Sequence, residues 1–242
     1  MDRDAATQAE RTLAELDTLR QRAARRAHGG VWLPATGVAT LLLASTALYA
    51  TPFGDRYSIV AEHPFWAGLP DQQRSPVASY LFWFLGIPLL FSVVAFWYRW
   101  RAGRLGVRVP WRAVAAAGLG VLALLAVLAA VPTGPVPDGL TAGTGPNWEG
   151  LLTPLLPVAA TVVALGWVER SRGLLASGVW ILALAVWLCT SWPMGTVPGW
   201  MLGNDAGGQL AWRPGHYLVL MALPLLVTAA VTGVTARRAA RD

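Results

Sequence analysis

The sequence predicts an all-helical integral membrane protein, a single bundle of six transmembrane helices preceded by a cytoplasmic amphipathic helix. Three observations predict it. Hydrophobic residues make up 55% of the 242 positions and charged residues only 13%, against about 45–50% and about 25% in soluble domains. Six apolar stretches, each near the length needed to cross a hydrocarbon core of about 30 Å, carry no Asp, Glu, Arg or His in their interiors. The arginines between them fall alternately on one side and are scarce on the other. Disorder, a nucleic-acid-binding module and an ordinary water-soluble enzyme are excluded as first readings.

Residues 1–30 read as a cytoplasmic helix lying in the membrane interface. Ala9, Leu13, Leu16, Leu19, Ala23 and Ala27 recur at three- and four-residue spacing, one narrow stripe of a helix over residues 5–28. Gly29 and Gly30 stop it. Arg20, Arg22, Arg25 and Arg26 lie close to the headgroups, each attracted by about 1 kcal/mol to an anionic surface. A docking face for a cytoplasmic protein partner is the sharper alternative. A signal n-region is short and basic, whereas this one is long and holds five acids, so the first span is expected to be retained.

The transmembrane domain, 31–236, has spans at about 31–50, 77–98, 113–131, 151–168, 174–191 and 217–234, the last three the shortest. Pro88, Pro154, Pro157 and Pro224 fall within spans and disturb the helix ladder, most of all at the start of the fourth. In the third, Ala113 with Ala117 and Ala116 with Gly120 are small pairs that permit close helix approach. The hydroxyls, among them Thr40, Thr161, Ser177 and Thr228, are expected to bond to their own helix or a neighbour. Ser177 in Ala176-Ser177-Gly178 is no protease nucleophile, because His216 belongs at the opposite membrane face.

Sixteen arginines precede the first span, follow the second, link the fourth to the fifth, or follow the sixth in a basic tail, 237–242. Only Arg56, Arg74 and Arg213 lie on the other side. Both termini are therefore expected in the cytoplasm, with the chain in the inner membrane. The formal charge of +6 divides into +9 inside and −3 outside, which reads as topology and headgroup attraction with no nucleic-acid partner. The segment from Arg101 to Arg112 reads as a basic loop with Trp100 and Trp111 as anchors. Most of the thirteen tryptophans fit aromatic belts at the two interfaces.

The spans hold no ionisable residue, which argues against a proton-coupled transporter, a pump or a charged filter. All 19 basic side chains are arginine, so Schiff-base and phosphate-loop lysine chemistry are excluded. A single cysteine, Cys189, forms neither an internal disulfide nor a thiolate metal site. Chemistry-bearing residues gather in the outer loops. Glu62, His63, Trp66, Trp148, Glu149, Asp205, Arg213 and His216 are the candidates for an outer-face pocket. There the acids supply a proton or stabilise a cation, the histidines relay it, and indoles shield a carbocation. Solvated loop acids are the commoner alternative. Histidine spacing gives no metal site, and no cofactor is implied.

Two resemblances follow from the layout. The Ala9-to-Leu16 helix, the arginine-rich junction and the run from Leu152-Thr-Pro-Leu-Leu to Leu165-Gly-Trp-Val-Glu-Arg-Ser171 resemble small six-span membrane proteins of high-GC bacteria without an assigned function. The layout is also loosely similar to permease subunits of export-type ATP-binding-cassette transporters, from which it differs in its short, acid-free loop between spans two and three. Three roles stay open on the residues. A non-enzymatic accessory, sensory or regulatory component asks least of them. A permease subunit needs a separate ATPase and a second copy of the chain, and homo-oligomers are compatible with the other roles as well. An intramembrane enzyme, a cyclase or lipid-modifying one, needs the outer acids to converge.

Overall fold

The computed structural model describes residues 8, 14–15, 30–53, 66–105, 111–131, 151–190, 204–205, 208–209 and 213–238. Six helices dominate: α1 (Trp32–Ser45), α2 (Pro76–Leu105), α3 (Trp111–Ala130), α4 (Leu155–Val168), α5 (Arg172–Thr190) and α6 (Pro214–Arg238). A 3-10 turn, Thr46–Leu48, prolongs α1. Between α5 and α6, strands β1 (Asn204–Asp205) and β2 (Gly208–Gln209) pair antiparallel, Asn204 opposite Gln209. By length and apolar composition α2, α5 and α6 can each cross a membrane; α1, α4 and the Val114–Ala130 stretch of α3 are shorter apolar segments. Of the amphipathic helix expected before them, Gln8, Ala14 and Glu15 are helical and exposed, and its remainder up to Gly30 lies outside the described residues.

Several boundaries depart from the sequence expectation for local reasons. The α2 helix continues to Leu105, so Arg101 and Arg104 stand on a helix and not in a loop. The α4 helix starts at Leu155 and not at 151, with Pro154 as its N-cap and Pro157 in the first turn. A proline is tolerated there because first-turn N–H groups have no intrahelical acceptor. The α6 helix, expected among the shortest, runs 25 residues from Pro214 to Arg238 and takes up two tail arginines.

A tight antiparallel hairpin joins α4 to α5. Its turn closes as a Schellman motif: the Ser171 N–H donates to Gly166 O (2.9 Å) and the Arg170 N–H to Trp167 O (3.2 Å). Arg170 takes the left-handed conformation that glycine normally supplies, with φ 52°. The helices then approach at two glycines, where a Cβ would stand 2.5 Å from Leu175 N at Gly166 and 2.7 Å from Val163 N at Gly178. Backbone blocks both positions. The small pairs expected to do this work in α3 do not: Ala116, Ala117 and Gly120 are exposed, and a Cβ at Gly120 would meet nothing within 4 Å.

The α6 helix packs on α5 and α1. Ser177 Oγ donates to Gly173 O (2.8 Å) and lies 3.5 Å from Thr228 Oγ1, as the hydroxyl reading expects. Trp180 Nε1 donates to Leu220 O (3.2 Å). On α1, Ala35, Val38, Ala39 and Leu42 form a buried stripe within one core with Leu218, Met221, Ala222, Leu225 and Ala229 of α6. Together α1, α4, α5 and α6 form a four-helix body. The α2 helix leans on α1 through Gly37 against Leu90 and Gly86 against Leu41, and α3 leans on α2 through Gly118 against Phe91. The opposite face of α2, from Val77 through Leu81, Leu85, Leu89, Val93 and Phe96 to Trp100, is exposed. Neighbouring helices run antiparallel, so Arg101, Arg104, Arg112, Arg170, Arg172, Arg237 and Arg238 share one end of the bundle.

Candidate functional site

The end remote from these arginines is capped by residues 66–75. Hydrogen bonds lay this segment against the end of α1: Ala50 N–H to Gln72 O (3.1 Å), Arg74 N–H to Leu48 O (2.8 Å) and Arg74 Nε to Tyr49 O (2.8 Å). The Tyr49 hydroxyl accepts from Leu69 N–H at 2.7 Å, and Thr153 Oγ1 donates to Gly68 O at 2.5 Å. Gly68, beside Tyr49 and Leu155, has φ 123°, a region that side-chain-bearing residues rarely adopt. Trp66 is fully buried, stacked on Tyr80 (centroids 4.7 Å apart) and Phe84 (5.8 Å).

An ion pair closes the cap. Arg213 Nη1 lies 3.5 Å from Asp71 Oδ2, with both side chains buried, while Asp71 Oδ1 accepts the Gln72 N–H at 2.6 Å. Burial pushes the Asp71 carboxyl above its usual range; the Gln72 N–H and the Arg213 charge pull the other way and only partly offset it. Desolvation outweighs attraction here. Arg213 is also the residue from which α6 starts. Its N–H donates to His216 Nδ1 (3.1 Å), the return half of a capping box with histidine in the acidic residue's place, while its carbonyl accepts the His216 N–H (2.9 Å). Accepting at Nδ1 leaves the proton of a neutral ring on Nε2. The ring edge meets Phe53 at 5.3 Å between centroids.

A second feature lies nearer the arginine-rich end. Between α1, α2, α3 and α4 is a half-open chamber of about 450 Å³. Its wall is hydrocarbon, including Val38, Leu90, Phe91, Leu122, Val158 and Leu165, with Ser92 and Thr161 the only hydroxyls among the described lining residues. Thr161 Oγ1 donates back to Pro157 O (2.7 Å). One turn towards the cap from Ile87 and Leu122, Trp83 and Leu125 are fully buried.

Beyond the chamber's other end, Tyr98 of α2 feels both Glu169 at the end of α4 and Arg101. A side chain at Gly30 would collide with the Arg101 guanidinium. Trp32 meets Trp97 edge-on (5.5 Å), Trp97 meets Trp100 (5.2 Å), and Arg104 sits 3.9 Å over the Trp100 ring. This is an aromatic and cationic girdle of the kind found at membrane interfaces.

Of the eight candidate residues, Trp66, Arg213 and His216 belong to the cap, where each has a partner within the bundle. Asp205 is placed by its backbone in β1, opposite Gly208. Glu62, His63, Trp148 and Glu149 lie outside the described residues. The described candidates do not line the chamber. Sequence reading missed the pairing of Asp71 with Arg213 and the grouping of Tyr98, Arg101 and Glu169. The only signals were one of three acids in the first outer loop and the single arginine of the third, and a tyrosine beside an arginine at a span's end. The chain matches no protein-family model, no curated protein and no solved structure.

Proposed function

We propose that this chain is a six-span protein of the cytoplasmic membrane with both termini inside, acting as a non-enzymatic accessory, sensory or regulatory component. The observation that carries the reading is the division of labour just described. Buried polar groups at the capped end are engaged in holding residues 66–75 to the four-helix body, and none of them lines the chamber. The reading counts all six helices as spans, and the gathering of arginines at one end of the bundle supports it through the positive-inside bias.

Two measurements test this. Cys189 is fully buried, so introduced cysteines report topology: Gln72→Cys should label from outside intact cells, and Gly103→Cys only after permeabilisation. The reverse pattern overturns the orientation. For the role, a triple variant Glu62→Gln, Glu149→Gln, Asp205→Asn should complement a deletion strain as well as the wild type. Loss of complementation at normal expression would establish an enzyme of the outer face instead. A stoichiometric ATPase in native nanodiscs would make the chain a permease subunit.

A further inference from the structure

We infer that the chamber is a binding site for one acyl chain of an anionic phospholipid from the cytoplasmic leaflet, with the headgroup at the arginine girdle. The inference rests on the membrane orientation proposed above. Depth is the first argument. At about 1.5 Å per residue the lining residues of α1, α3 and α4 begin about 3–6 Å from the arginine-rich helix ends, at Pro34, Ala115 and Leu165, and reach about 14–17 Å, at Leu41, Leu122 and Val158. The α2 helix projects further, but counted from Trp97, which meets Trp32 at the start of α1, its lining runs from about 5 Å at Val94 to about 15 Å at Ile87. Half of a hydrocarbon core of about 30 Å is about 15 Å. The chamber therefore spans one leaflet and stops at the midplane, where Trp83 and Leu125 fill the next turn. A passage across the bilayer would need both ends open; a single chain entering from one leaflet needs only one.

Chemistry is the second argument. The wall offers hydrocarbon, and of the two hydroxyls among its described residues Thr161 is bonded to its own helix, so water gains few partners there. In a bilayer the half-open side admits hydrocarbon tails. The volume of about 450 Å³ falls within the usual range for ligand pockets, about 300–1,000 Å³. Charge is the third. Arg112 precedes the chamber-lining Ala115 by one turn of α3, and Arg101 and Arg104 follow Val94 on α2, with Arg170 and Arg172 on the α4–α5 turn. Glu169 is the acid among them, and the set is net positive. That complements a phosphate ester and sets an anionic headgroup above a zwitterionic one.

The test is native mass spectrometry of the full chain, extracted in mild detergent after reconstitution with palmitoyl-oleoyl phosphatidylglycerol and the matching phosphatidylethanolamine. Wild type should retain one phosphatidylglycerol per chain. Ala115→Trp, which fills the chamber from α3, and Thr161→Phe, which fills it from α4, should each lower retention about tenfold or more. Ala117→Trp, on the exposed face of the same α3 helix, should retain it. Arg104→Gln with Arg112→Gln should leave a lipid bound but erase the preference for phosphatidylglycerol. Equal retention by the Ala115 and Ala117 variants at equal thermal stability overturns the site; so does a wild type that holds only detergent, or a neutral isoprenoid in place of phospholipid. Retention is read by mass whatever the orientation, whereas the cysteine labelling reads orientation alone, so failure of one is told from failure of the other.

Discussion

The four-helix body and the α2–α3 pair are made of equally apolar helices yet hold together differently. In the body, helices meet where glycine lets backbone approach backbone, at Gly166 and Gly178, and hydroxyls bridge α5 to α6. At the glycines between α2 and its neighbours α1 and α3, Gly37, Gly86 and Gly118, what fits against the glycine is a leucine or phenylalanine side chain and not backbone. Lipid tails are as apolar as leucine, so hydrophobicity does not decide which contact is strong. Closeness does. The lesson is that a glycine's worth in such a bundle depends on what faces it, backbone or a movable side chain.

The largest expected effect is therefore in the body. Gly178→Leu forces α4 from α5 and should destabilise the fold by about 3 kcal/mol or more, read as loss of unfolding resistance in mixed micelles. Gly120→Leu on α3, with open space beside it, should change little. If both variants behave alike, the contrast between the regions is wrong.

The ion pair comes next. Asp71→Leu removes the buried carboxyl that faces Arg213 and accepts the Gln72 N–H and should cost about 3 kcal/mol, while Asp71→Asn, a copy of the neutral acid, should cost under about 1 kcal/mol. The pH dependence has a definite sign. A carboxyl whose pKa is raised on folding holds its proton more tightly in the native state. Its contribution is whole below the unfolded value, about pH 4, and is lost as pH rises through the raised one. Wild type should lose stability over that interval in thermal melts, and Asp71→Asn should show no such slope.

Two smaller effects sharpen the picture at the turns. Gly68→Ala forces a side chain into a positive-φ position and should cost about 1–3 kcal/mol, loosening the cap so that Gln72 amide exchange quickens. At the α4–α5 turn, Arg170→Gly should stabilise the hairpin by about 1 kcal/mol, because glycine adopts the left-handed conformation freely. A loss there would mean the Arg170 side chain contributes more than its backbone strain removes.

Helix content and the alternation of arginine ends were legible because each depends on composition along a single stretch. Apolar runs declare helices wherever water is excluded, and Arg99 to Arg112 or Arg170 to Arg172 declare an end. Pairings were not legible. Nothing near Asp71 names Arg213, 142 positions away, and nothing in Gly166 or Gly178 distinguishes it from Gly120 until the facing helix is known. Proline gave a mixed signal: Pro154 and Pro157 marked an irregular start and delayed α4 by one turn, whereas Pro88 and Pro224 sit inside continuing helices. The outer-loop candidates were chosen for their chemistry, and the described ones are spent on caps and clamps, a use that chemistry alone does not separate from catalysis.

The chamber has one further consequence, for the solvent in which the protein is handled. Emptying packed space costs about 24 cal/mol per Å³ of cavity, so a void of about 450 Å³ would forfeit up to about 11 kcal/mol. That is as much as the whole margin of a typical fold, about 5–15 kcal/mol. The hydrocarbon that enters between α1, α2, α3 and α4 is in this sense part of the core, a component the gene does not encode. Melting temperature should accordingly track the length and shape of the surfactant tail, and two detergents of equal mildness towards the body need not be equal for the α2–α3 pair.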